Sequence, residues 1–220
     1  RETAVRTAIG CFATLLNAEL GVKAVSRVTA LGGLRAVTAR GAAARIERAR
    51  KLGDTLGGEF ELTFTGVPAG LGSYAQPDRR LGARLGAALL AINGVKGFSV
   101  GAAGLPAISG REAARRPEFT GGIDGGVTNG SDIVLRCAVK PVPGLPGGAP
   151  SADLNTRRAA VAASATSDVT AVFAAAVIAE HAAAIEIASA FIEKFGGDSL
   201  AEMKPRVEAW RRATAKLIRR

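Results

Sequence analysis

A lone lysine closes the most chemically suggestive stretch of the chain. Residues 121–143 read GGIDGGVTNGSDIVLRCAVKPVP, with five glycines in the first ten positions and an alternating segment that ends at Lys140-Pro141. Gly125, Gly126 and Gly130 remove side chains where backbone must approach a neighbour closely or take positive φ. Ile133, Leu135, Cys137 and Val139 share one face of the predicted strand. Asp132, Val134, Arg136, Ala138 and Lys140 share the other. A glycine platform feeding a cation suits an anionic, planar ligand. A bulged β-hairpin ending in a surface lysine accounts for the same spacing without one.

Other polar residues are read in the same two ways. Asp168 sits before an apolar run and can cap a helix starting at Val169. Asn93-Gly94 follows an apolar stripe, where it can form a helix C-cap. Arg1 carries the fork that suits a carboxylate or phosphate, or it frays as a terminus. His181, the only histidine, follows Glu180 in the middle of a predicted helix and reads as a helix-face residue. One histidine and two distant cysteines make no metal set and no catalytic triad. Gly66, Leu71 and Gly72 belong to no phosphate loop, because no Gly-Lys-Ser/Thr follows.

Mixed helices and strands must position these residues, so the expected class is α+β. A helix is predicted over Glu2–Leu20, with Val5, Ala8, Phe12, Leu15 and Leu16 on one side and Gly21 as its stop. Strands are predicted over Val22–Leu31, Glu59–Thr65, Val95–Val100 and Ser131–Lys140. Thr38–Leu52 reads as a helix. Asp78 caps another through Ile92, with Leu81, Leu85, Ala88 and Leu89 along its stripe. Residues 101–118 and 141–156 read as long loops. Arg157–Lys194 is largely helical after an irregular start, and a basic helix spans about 199–220.

Composition narrows the partners. The 220 residues are 48% hydrophobic, with alanine the most frequent of these, and 28 glycines stand beside them, so a core can form with few aromatic residues. A net charge of +10 attracts anions of every kind. Nucleic acid is the default for a pI of 10.6. Single Tyr74 and Trp210 offer no stacking set, and the basic residues are scattered, so a small polyanion accounts for the charge at least as well. The run Val169–Ala179 is too short to span a bilayer. No basic-then-apolar leader is visible, and two thiols, Cys11 and Cys137, fit a reduced, cytoplasmic protein.

Four stretches in order resemble the chorismate synthase family. Arg1-Glu2-Thr3-Ala4 is similar to the end of its R-(S/A)-S-A-R-E-T-A motif. TGVPAGLGSY at 65–74, Asp78-Arg79-Arg80-Leu81 and Ile92-Asn93-Gly94-Val95-Lys96-Gly97 resemble G-V-P-A-G-L-G, D-x-(K/R)-L and I-x-A-(V/I)-K-G. The glycine segment with Lys140-Pro141 and the final EKFGGDSL at 193–200 complete the match. The family's G-E-S-H-G and R-P-G-H-A-D motifs have no counterpart in these 220 residues.

The resemblance implies a β-α-β sandwich core, N-terminally incomplete, with residues 1–220 forming a partial family domain. It implies a lyase converting 5-enolpyruvylshikimate 3-phosphate to chorismate by 1,4-anti elimination of phosphate. Reduced FMN is required without net redox change, with NADPH as a possible flavin reductant, in a cytoplasmic homotetramer. Asn93, Gly125, Lys140, Pro141, Pro143 and Ser167 match flavin-binding positions. Asp168 matches the acid near the flavin's reactive edge, and Arg1 matches a substrate-binding arginine. The chain departs from the family at Val142, Gly144 and Thr166, the last replacing an arginine. Those departures keep open a family fold without turnover. A basic nucleic-acid-binding module is the alternative from another class.

Overall fold

The computed structural model describes residues 2–101, 109–113, 119–162 and 167–218. Five strands form an antiparallel sheet in the order β2-β1-β3-β7-β4. They are β1 (Lys23–Leu31), β2 (Leu34–Arg35), β3 (Gly58–Thr65), β4 (Val95–Val100) and β7 (Ile133–Val139). β1 and β3 are paired from Lys23↔Thr65 to Leu31↔Gly58, and β7 inserts between β3 and β4. Two small hairpins lie outside the sheet: β5 (Ile123–Asp124) with β6 (Val127–Thr128), and β8 (Ala149–Ala152) with β9 (Ala159–Ala162).

Period-two patterning decides which sheet face is covered. Phe60, Leu62 and Phe64 of β3 and Ile133, Leu135, Cys137 and Val139 of β7 are buried. The facing layer is helical: α1 (Glu2–Glu19), α2 (Ala39–Lys51), α3 (Leu81–Leu90) and α5 (Val172–Phe195). The opposite sheet face carries a charged row, in which Glu61 pairs with Arg136 at 2.9 Å and Arg27 at 3.5 Å. α5 has the length and hydropathy of a membrane span, but 56% of its most apolar window is buried, so it serves as the core helix. Its alanines let neighbours approach closely. A Cβ on Gly10 of α1 would lie 2.6 Å from the His181 carbonyl oxygen, so His181 marks a helix crossing. The short α4 (Gly110–Ala113) and the closing α6 (Leu200–Ile218) complete the chain.

Several boundaries differ from the sequence reading. The predicted α1 stripe faces outward: Val5, Phe12 and Leu15 are 60%, 76% and 65% exposed, and Gly10 and Asn17 are the buried residues. Small residues won the packed face because α5 lies so close. Asp78 does not cap α3. It lies in a 3-10 turn, Pro77–Arg79, and α3 begins at Leu81 with no side-chain cap. Asp168 does not cap α5 either, which starts at Val172 after Ala171, because Thr170 forms a parallel bridge with Leu56. Asn93-Gly94 lies beyond the α3 C-cap, Ala91, in the turn to β4. The β8–β9 hairpin replaces part of the expected 141–156 loop and the expected start of helix at Arg157. The described part of 101–118 includes α4.

The two thiols should differ sharply in reactivity. Burial pushes Cys137 up to about 12, whereas Cys11 is exposed. Only thiolate attacks an alkylating agent. Iodoacetamide at pH 8 should therefore modify native protein once, at Cys11, with Cys137 reacting only in denaturant. Peptide mass mapping that finds Cys137 labelled in native protein would refute this.

Candidate functional site

One edge of the sheet gathers residues from four distant stretches. Lys140 stands one position beyond β7, and its backbone N–H donates to the Gly94 carbonyl at 2.9 Å. This ties it to the turn between α3 and β4, where Gly94 takes a φ of 91°. Pro141 then packs on Gly57: a Cβ there would come within 2.9 Å of the proline ring. Thr55, which is buried, donates its hydroxyl to the Val142 carbonyl at 2.9 Å. Leu56 donates its N–H to the Val169 carbonyl at 2.7 Å, which fixes the backbone next to Ser167 and Asp168. Asn93, Lys140, Pro141, Pro143, Ser167 and Asp168 thus share this edge, all exposed. A cavity of about 160 Å3 beside Leu56 is lined by Arg45, Arg48, Ala49, Leu52 and Asp54. Its two guanidiniums add positive charge near the same edge.

The linking segment Asp54–Gly57 was missed by the sequence reading. Its signal was Asp-Thr followed by paired glycines before an alternating strand. Gly57 and Gly58 have no room for a side chain, because Val139, Pro141 and Ala30 crowd them. Arg1 and Thr166 lie outside the described residues.

Gly125 is elsewhere. It turns the β5–β6 hairpin near the start of β7, whereas Lys140 follows its end. Seven extended residues separate the two ends by about 20 Å. Lys140, Asp168 and Gly125, which the family resemblance assigns to one flavin site, are therefore divided between opposite ends of β7. Uninterrupted pairing of β7 with β3, from Phe64↔Ile133 to Gly58↔Val139, keeps them apart, and β4 follows β7 with one register shift between Val95 and Gly97. Gly125 takes a φ of 59°, and a Cβ there would meet no protein atom within 4 Å. Its neighbour differs: a Cβ on Gly126 would lie 2.6 Å from the Ser73 carbonyl.

The hairpin is held from behind. Thr128 is buried; its hydroxyl accepts from the Leu71 N–H at 2.9 Å and donates to the Pro68 carbonyl at 2.6 Å. Leu81 donates its N–H to the Gly126 carbonyl at 2.9 Å. Arg84 pairs with Glu186 at 2.9 Å and Glu193 at 2.8 Å, and Arg79 reaches Glu193 at 3.5 Å. Glu193, which opens the EKFGGDSL stretch, thereby fastens the Asp78–Leu81 region to α5. The His181 ring nitrogen Nδ1 is 2.9 Å from the Val177 carbonyl one turn back. Among the described residues no group of three His, Cys, Asp or Glu side chains could hold a metal ion.

Comparison with known proteins bears on this arrangement. The family model described as chorismate synthase matches residues 1–192. The chain is 38% identical over 248 residues to the chorismate synthase of Desulforamulus reducens, covering 96% of this chain and 64% of that protein. It is 37% identical over 261 residues to that of Geobacter sulfurreducens, covering 96% and 65%. A crystal structure of chorismate synthase superposes with a TM-score of 0.75 at 28% identity, covering 97% of this chain and 70% of that one. The chain spans just under two thirds of the length of these curated relatives.

Proposed function

The chain belongs to the chorismate synthase family, and from this premise we propose that it serves the elimination of phosphate from 5-enolpyruvylshikimate 3-phosphate to give chorismate, with reduced FMN. The family membership carries the lyase class and a small-molecule substrate. The observation that carries the site is the shared edge: backbone hydrogen bonds join Gly94 to Lys140 and Leu56 to Val169, and the Thr55 hydroxyl on Val142 links the two pairs although all are far apart in sequence. Core packing alone does not call for exposed Asn93, Lys140, Ser167 and Asp168 at one place.

The residues present fit an anionic flavin. Lys140 places a cation at the edge, and Asn93 and Ser167 add neutral hydrogen-bonding groups. Pro141 and Pro143 stiffen the segment after Lys140. Gly125, about 20 Å away beyond the other end of β7, leaves open space that a side chain would fill and can border the flavin only at the end remote from Lys140. Reduced FMN, when bound, supplies transient electron density as phosphate leaves. The chain's own part is to orient two anions and offset phosphate charge with fixed cations. Asp168 is the acid we assign to chemistry. Arg1 is assigned to the substrate. The working form is a cytoplasmic homotetramer, with NADPH or another donor reducing the flavin.

Titration with FMN, followed by quenching of flavin fluorescence, tests this. Lys140→Ala should raise the dissociation constant roughly tenfold, the loss expected for a hydrogen bond to a charged group. Asp168→Asn removes a like charge from beside the anionic flavin and should leave its affinity unchanged or raised. Affinity should fall with added salt. Unchanged affinity in Lys140→Ala would sink the site assignment. Flavin binding without chorismate formation would instead favour a family fold lacking turnover, which the replacement of arginine by Thr166 makes a specific second reading.

A further inference from the structure

α6 lies beyond residues 1–192, where the family model matches. It is nevertheless bound tightly to the far end of the sheet. Met203 and Val207 anchor it in the core. The Trp210 indole N–H donates to the Ala69 carbonyl at 2.7 Å, and the Lys194 ammonium sits 3.9 Å from the indole centroid. Arg211 donates to the Leu20 carbonyl at 2.9 Å and the Gly66 carbonyl at 2.7 Å. Two carbonyls of the 66–74 turn are thus held by consecutive α6 side chains. That turn holds the glycine hairpin in its place. Gly70 donates to the Thr128 carbonyl at 2.7 Å, Thr128 donates back to the Leu71 carbonyl at 2.9 Å, and the Thr128 hydroxyl bridges Leu71 and Pro68.

We propose that α6 is a clamp that sets the position of the Gly125 hairpin, with Trp210 and Arg211 as positioning residues acting through the 66–71 backbone. The hydrogen bonds run without a break from Trp210 to Thr128, three residues from Gly125. Trp210 is 36% exposed, so its ring is not simply core filling. Its one polar atom is spent on the turn. The inference rests on the reading above in one respect only, that Gly125 borders the flavin.

The test uses the full chain with Trp210→Phe, which keeps a ring and removes the donor, and Arg211→Met as a second variant. Amide hydrogen exchange is measured over 66–71 and 123–128, and FMN affinity by titration. Exchange in both segments should accelerate about 2- to 10-fold, the effect of losing one hydrogen bond, with β7 unchanged. FMN affinity should fall by a similar factor. Unchanged exchange over 123–128 in both variants overturns the clamp, whatever FMN does. Altered exchange with undiminished FMN affinity overturns its role toward the flavin. If the unaltered chain does not bind FMN, that role falls together with the reading it rests on, while the exchange result still judges the clamp.

Discussion

Gly121→Ala should destabilise the protein by about 2–5 kcal/mol and shift its urea midpoint accordingly. Gly121 takes a φ of 56°, which costs an L-residue roughly 1–2 kcal/mol. It is also walled in by backbone. A Cβ would overlap the Gly101 amide nitrogen, lie 2.6 Å from the Gly101 Cα and 2.9 Å from the Val134 carbonyl. Backbone cannot swing aside as a side chain can. Gly101 donates to that Val134 carbonyl at 2.8 Å, and Val134 donates to Gly121 at 3.1 Å. The added methyl would therefore part β7 from the end of β4. Gly125→Ala meets no protein atom and serves as the control; it bears a similar φ cost without the overlap. A Gly121→Ala midpoint equal to that of Gly125→Ala would refute the steric account.

Gly57→Ala should weaken FMN binding by more than the roughly tenfold expected for Lys140→Ala. A Cβ on Gly57 would lie 2.6 Å from the Val139 carbonyl and 2.9 Å from the Pro141 ring. Relief requires the 139–141 backbone to move away from β3. That movement carries Lys140 with it and strains the Thr55 hydrogen bond to Val142. The stability cost should be about 1–3 kcal/mol, as for other overpacked positions. The order of the two dissociation constants is the readout. A Gly57→Ala protein that is folded and binds FMN as tightly as the unaltered chain contradicts a flavin site at this edge.

Local patterns made most elements legible. Alternation over 59–65 and 131–140 identified both strands, and the faces carrying Phe60-Leu62-Phe64 and Ile133-Leu135-Cys137-Val139 are the ones the structure buries. Gly21 stops α1, and Thr38 caps α2, accepting from the Gly41 N–H at 3.1 Å. Apolarity misled where neighbours decided. The α1 face with the larger side chains was not the packed one, because Gly10 and the α5 alanines permit a closer crossing. Asp168 looked like a cap, but the Leu56 bridge holds its chain extended past Val169. The site was legible by motif and only partly by geometry. The strand ending in Lys140 could be read from residues 131–141 alone. Its partnership with Gly94 and Asp54–Gly57 depends on sheet order, which no local pattern states. For the same reason the chain's closeness at Lys140 and Asp168, and its distance at Gly125, could not be read in advance.

The outward stripe on α1 has a colloidal consequence. Val5, Ile9, Phe12 and Leu15 are each more than half exposed along one helix, on a molecule of net charge +10. Like charge keeps such molecules apart over a range set by the Debye length, about 8 Å at physiological ionic strength. Salt removes that barrier while leaving the apolar seam as adhesive as before. The buffers that would best suppress indiscriminate anion binding are thus the ones in which the protein is least protected from self-association.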